Sequence, residues 1–217
     1  MYPAGNLFIN APHGRLEAIL KEPRTSPWRG VALVLHPHPL GGGTMHNKVV
    51  FRAASALNDA GLVTLRINFR GVGQSTGAHD EGRGELDDVR SGLDYLAAHY
   101  AAERITIAGF SFGSRVGMEV GIEDRRVASL ISIGTPVDKY DFTFLRACRK
   151  PILFVHGDAD EFGRAEQIQA LAATLPAEAR ARVRIINHAG HFFDGRLDEM
   201  KRAITEWMEE RLVNGQS

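Results

Sequence analysis

Cysteine is almost missing from this chain, with a single residue, Cys148, among 217. One thiol can neither close an internal disulfide nor build a Cys-based metal site, so the chain reads as a cytoplasmic protein without a disulfide framework. Surplus charge is missing too. Lys plus Arg and Asp plus Glu each number 26, for a formal net charge of zero, so the basic excess that binds phosphate backbones is lacking and nucleic acid is not an expected partner. Long apolar runs are also absent: Val31–Leu35 has only five residues, where a membrane span needs about 20. The opening Met1–Asn6 has no basic n-region and no apolar h-region, so neither a secretory signal nor a membrane partner is expected. What remains is 44% hydrophobic and 24% charged, too apolar and too balanced for disorder. One α/β-sized domain spanning residues 1–217 is expected, able to withdraw roughly 70% of its unfolded surface from water.

Short Val-, Ile- and Leu-rich runs alternate with longer stretches of helical period, the pattern of βα units around a mostly parallel sheet. The strands are predicted at Leu16–Leu20, Val31–Leu35, Val63–Phe69, Ile105–Ala108, Ser129–Ile133, Ile152–His156 and Val183–Ile186. Val31–Leu35 and Ile152–Val155 are apolar on both faces, as strands covered by helices on each side must be. Leu7–Ile9 and Leu16–Leu20, around Pro12-His13-Gly14, predict an antiparallel hairpin at one edge. Helices are predicted over Asn47–Ala60, ended by Gly61, along the stripe Leu86, Val89, Leu93, Leu96 and Tyr100, and along Leu197, Met200, Ile204 and Trp207. The tail Asn214–Ser217 is expected to fray.

The chemistry centres on Gly109-Phe110-Ser111-Phe112-Gly113, which lies between the predicted strand Ile105–Ala108 and a helical stretch starting near Ser114. Strand, G-x-S-x-G and helix together are the context of a nucleophile elbow. The glycines are needed because a Cβ at either position would strike the adjoining helix and strand. Ser111 Oγ is then held out at the carboxyl end of the sheet, and the Phe112 N–H faces the place where an oxyanion develops. A serine hydroxyl is a weak nucleophile until a base takes its proton, so a His and an orienting carboxylate must come from elsewhere. Two strand ends offer them: Asp158, Asp160 and Glu161 after Ile152–His156, and His188 and His191 after Val183–Ile186.

With these pieces the chain resembles the α/β-hydrolase family from about residue 16 to 212. The resemblance is carried by His36-Pro-His-Pro-Leu-Gly-Gly-Gly43, Asn68-Phe-Arg-Gly-Val-Gly-Gln-Ser75, Gly109-Phe-Ser-Phe-Gly113, His156-Gly-Asp-Ala-Asp160 and Ala189-Gly-His191. It implies a single mostly parallel sheet of about seven to eight strands with helices on both faces. It also implies a triad in the order Ser111, Asp160, His191, with Asp158 and His188 left to loop roles. The His-Pro-His-Pro opening looks like small esterase-like members, where more familiar relatives carry His-Gly. Relatives usually have Asp at the position of Asn68, a residue that braces a loop. The second oxyanion donor is expected from the loop after Leu35, where proline's missing N–H removes Pro37 and Pro39. His38, Leu40 and Gly41 remain, and the expectation falls on Leu40 because the following glycines let backbone approach a substrate.

Other motifs are read more plainly. His36, His38 and His46 lack the companions of a zinc site, so no metal is expected. Gly71-Val-Gly73-Gln-Ser-Thr76 lacks the last glycine of a dinucleotide fingerprint, so no cofactor is expected either. Glu81, Glu85, Asp87 and Asp88 read as helix-dipole placement, and Cys148 as a thiol outside the chemistry. Only residues 134–151 separate the strands ending at Ile133 and starting at Ile152. That is room for a loop and one short helix over Tyr140–Arg146, not for a lid domain. The expected site is therefore open, with Phe110, Phe162 and Phe192 as candidate substrate contacts and Phe112 and Phe193 close by. The function expected is hydrolysis of carboxylic esters or thioesters of short acyl chain. Peptidase, amidase or perhydrolase chemistry on the same triad, or a non-catalytic binding protein on this fold, are the alternatives. Nothing in the sequence requires an oligomer.

Overall fold

A computed structural model describes residues 6–24, 27–100 and 104–213; the expected frayed tail lies outside them, as does nearly all of Met1–Asn6. Eight strands form one sheet: β1 (Asn6–Ala11), β2 (Gly14–Lys21), β3 (Val31–Leu35), β4 (Val63–Ile67), β5 (Ile105–Phe110), β6 (Val127–Ile133), β7 (Ile152–Gly157) and β8 (Arg182–Ile186). Their spatial order is β1-β2-β4-β3-β5-β6-β7-β8. β1 and β2 form the predicted antiparallel hairpin, β2 pairs antiparallel with β4, and every other pairing is parallel.

All five residues of β3 are buried, and alternate side chains feed two different cores. Ala32 and Val34 join Ala108, Ile131, Leu153 and Val155 under α1 (Lys48–Asp59) and α5 (Leu197–Val213). Leu33 and Leu35 join Ile107, Leu130 and Phe154 under α2 (Arg83–His99) and α3 (Phe112–Glu123). Helices therefore cover both faces of the sheet. Asn47 caps α1 by accepting from the Val49 N–H at 2.9 Å, and Gly61 follows the helix at φ +95°.

Several boundaries differ from the sequence reading for local reasons. β4 stops at Ile67 because the Ser75 hydroxyl takes up the Glu17 N–H and the Asn68 carbonyl that would continue the ladder to β2, and the Phe69 N–H turns to the His36 ring. The helix expected over Tyr140–Arg146 is a 3-10 turn over Thr143–Ala147. An additional helix, α4 (Ala165–Ala173), flanks β7 and β8; it buries only Ile168, too little to leave an apolar period in the sequence. Among the described residues no helix is long and apolar enough to cross a membrane.

Candidate active site

The candidate nucleophile comes from the junction of β5 and α3. Ser111 sits at φ +55°, ψ −120°, a backbone conformation that costs a non-glycine residue on the order of 1–3 kcal/mol. The surroundings hold it there: its N–H donates to the Ile133 carbonyl at 2.9 Å, and its carbonyl accepts from the Ser114 N–H at 2.9 Å and the Ser114 hydroxyl at 2.6 Å. No bulkier residue fits on either side. A Cβ on Gly109 would lie 2.5 Å from the Ser114 nitrogen, and one on Gly113 would lie 2.5 Å from the His36 carbonyl oxygen.

The acid and base arrive on two loops tied to one another. The Ala159 N–H donates to the Ala189 carbonyl at 3.0 Å, and the Asp158 N–H to the Ile186 carbonyl at 3.2 Å. Asp160 and His191 are both buried. The His191 Nδ1–H donates to the Asp160 carboxylate at 2.9 and 3.0 Å, which leaves Nε2 to accept from the Ser111 hydroxyl at 2.8 Å. Asp158 and His188 are exposed, and His188 adopts φ +56°. The acidic loop has a brace that sequence reasoning missed: the His156 Nε2–H donates to the Gly163 carbonyl at 2.7 Å. Burial lowers the His156 pKa, keeping a neutral imidazole beside the Asp160 carboxylate.

The opposite wall is the loop after β3, and here the expected donor moves. The Leu40 N–H donates to His38 Nδ1 at 3.2 Å, and the Leu40 side chain is 78% exposed. The Gly41, Gly42 and Gly43 N–H groups donate to the carbonyls of His38, Pro39 and His38. With those amides spent and the prolines lacking one, the His38 N–H is the amide within residues 37–43 left without a protein acceptor among the described residues. Phe112, at the first turn of α3, likewise has no intrahelical acceptor for its N–H. The His38 and Phe112 rings lie 5.1 Å apart, and His79 packs on both at 4.7 and 5.6 Å. Buried Glu85 accepts from His79 Nδ1–H at 2.7 Å and from the Asp80 and Gly82 N–H groups, so its carboxylate orients His79. Asp88 is buried too, bonded to the Arg70 backbone and guanidinium. Glu85 keeps the helix-start place read from the sequence, in the first turn of α2 and capping the Gly82 N–H, and also holds His79, whereas Asp88 is an internal partner of Arg70.

Two more residues fix this loop. His36 donates from Nδ1 to the Pro37 carbonyl at 2.6 Å and accepts at Nε2 from the Phe69 N–H at 3.0 Å; burial pushes its pKa down to about 4. Asn68 accepts from the Met45 N–H at 2.8 Å and donates to the Glu17 carboxylate at 2.9 Å. The amide explains the departure from the usual Asp, since a carboxylate there would face Glu17. Among the described residues, no group of three or more His, Cys, Asp or Glu side chains is arranged to hold a metal ion.

Between these walls lies an open cleft of about 300 Å³, lined by His38, Gly41–Gly43, Asn47, Ser111, Lys139, Tyr140, Phe162, His191 and Phe192 among others. Phe162 stands edge-on to His191 at 4.5 Å, and Phe192 at 5.3 Å. Phe110, expected as a substrate contact, is a core residue packed behind His191. Phe193 is also core, and Cys148 is buried with its thiol donating to the Lys150 carbonyl.

The chain is similar to known proteins. An uncharacterized protein of Rickettsia prowazekii is 39% identical over 209 residues, covering 93% of this chain and 87% of its own. An alpha-beta serine hydrolase homologue of Coxiella burnetii is 36% identical with a TM-score of 0.88, over 95% of this chain and 98% of its own. A serine hydrolase without lid from Xanthomonas campestris is 31% identical with a TM-score of 0.87, over 97% and 96% of the two chains. The family described as alpha/beta hydrolase domain matches residues 30–211, and the chain belongs to that hydrolase family.

Proposed function

We propose that the protein is a serine hydrolase that cleaves carboxylic esters or thioesters of short acyl chain through an acyl-Ser111 intermediate. The observation that carries this reading is the unbroken line from Ser111 Oγ to His191 Nε2 at 2.8 Å and from His191 Nδ1 to Asp160 at 2.9 Å. Ser111 Oγ attacks the carbonyl carbon as His191 takes its proton, and His191 passes that proton to the departing alkoxide or thiolate. A water then gives its proton to His191 and attacks the acyl carbon, releasing the acid and restoring Ser111. Asp160 holds the Nδ1–H tautomer and stabilises the imidazolium. The Phe112 and His38 N–H groups receive the oxyanion, with His38 in the place first assigned to Leu40. A cleft of about 300 Å³, at the low end of small-molecule sites, supports a short acyl group.

The test is turnover of p-nitrophenyl acetate, butyrate, octanoate and palmitate by wild type and Ser111→Ala, beside intact-mass detection of fluorophosphonate on Ser111. Activity that falls with chain length and drops at least about 10³-fold in the folded variant is expected. A variant that keeps most of its activity would reject the assignment, and absence of labelling would favour a binding protein on this fold.

A further inference from the structure

Resting on that reading, we propose that the cleft selects esters bearing a carboxylate remote from the scissile bond, and that Lys139 is the residue that recognises it. Lys139 is the one Lys or Arg among the residues lining the cleft, and burial and the neighbouring His79 lower the His38 pKa. No carboxylate is among the described lining residues.

An exposed lysine alone means little, since most are solvated. The cations around it provide the contrast. Lys48, beside Phe192, is paired with Asp194, and Arg115, behind Tyr140, is paired with Glu119. Among the described residues Lys139 has no such partner. Its Nζ lies 5.4 Å from the centre of the Phe162 ring, and that ring stands 4.5 Å from His191. One aromatic ring therefore separates the ammonium from the catalytic imidazole, and the cation–π contact keeps it over the cleft. Two acids of the adjoining loops have partners of their own: Asp138 accepts from Gln167 Nε2 at 2.8 Å, and Glu161 from the His191 N–H at 3.4 Å. The positive end of α3 at Ser111 adds to the field. A substrate whose apolar body rests on Phe162 and Phe192 would bring a terminal carboxylate to an unpaired ammonium, which attracts it during approach and anchors it when bound.

Two substrate pairs test this, one for each side of the scissile bond: 4-acetoxybenzoate against 4-acetoxybenzamide, and phenyl hydrogen adipate against phenyl methyl adipate. The readout is the ratio of kcat/KM, charged over neutral, in wild type, Lys139→Gln and Lys139→Glu. We expect at least one pair to favour the charged partner by about fivefold, mainly through KM, with the preference shrinking as salt is added. Lys139→Gln should bring that ratio near one and Lys139→Glu should invert it. Ratios near one in both wild-type pairs, or a preference untouched by Lys139→Gln, would overturn the inference and leave the hydrolase reading intact. No turnover of any of the four together with no fluorophosphonate on Ser111 would overturn both.

Discussion

The two walls of the cleft do the same job by different chemistry. On the β7–β8 side, the roles proposed for Asp160 and His191 are played by side chains, and residue type with chain order points to them. On the β3–β4 side, the proposed contribution is a backbone N–H, a group every residue but proline carries. Which amide serves there depends on which others are already bonded, and Leu40 is spent on His38. Side-chain chemistry is written in residue identity, whereas backbone chemistry is decided by the local hydrogen-bond account.

The largest effect sharpens the side-chain half: Ser111→Ala should cost at least about 10³-fold in kcat without loss of fold, measured on any accepted ester. Next comes the acid sensitivity of the backbone half. His36 binds its proton at pH about 4 when folded but near 6.5 when unfolded, so between those values the unfolded chain holds more protons. Stability is then complete above about pH 6.5 and falls as pH drops toward 4, by on the order of 3 kcal/mol; urea melts across that range should show the loss, and His36→Gln should flatten it. A third experiment could break the contrast between the walls. His38 has φ −51°, which proline accepts, so His38→Pro deletes the N–H with little backbone strain. It should lose about 10²-fold more kcat than His38→Ala; equal kcat in the two variants would reject the His38 N–H as donor. The smallest effect concerns the bracing amide. Asn68→Asp sets a carboxylate against Glu17 and should cost about 1–3 kcal/mol at pH 7. Like charges raise both pKa values in the folded state, so that cost should fade as pH drops below about 5.

How much was legible follows the same division. Val31–Leu35 and the glycines around Ser111 were readable because burial on two faces and the absence of room for a Cβ each demand particular residue types. Asp160 and His191, the proposed acid and base, stand at strand ends in a recognisable order. Phe110 was misplaced because it directly precedes the nucleophile in sequence, yet as the last residue of β5 its ring enters the core behind His191. Glu85 and Asp88 were read only as helix-dipole placement because their partners, His79 and Arg70, come from the loop after β4 and meet them only in three dimensions. His156 left no sign that its ring would hold the loop at Gly163.

The segment of residues 134–151 is pinned at both ends, by the Gly134 N–H on the Val155 carbonyl and by the Pro151 carbonyl on the Leu130 N–H. Neither Ser111, Asp160 nor His191 lies within it, yet it supplies Lys139 and Tyr140 to the cleft. Its core residues Phe142, Leu145 and Cys148 tie the rest of it to the sheet, so the part open to exchange is the turn at Lys139 and Tyr140, where new substrate preferences can be engineered without moving the core beneath.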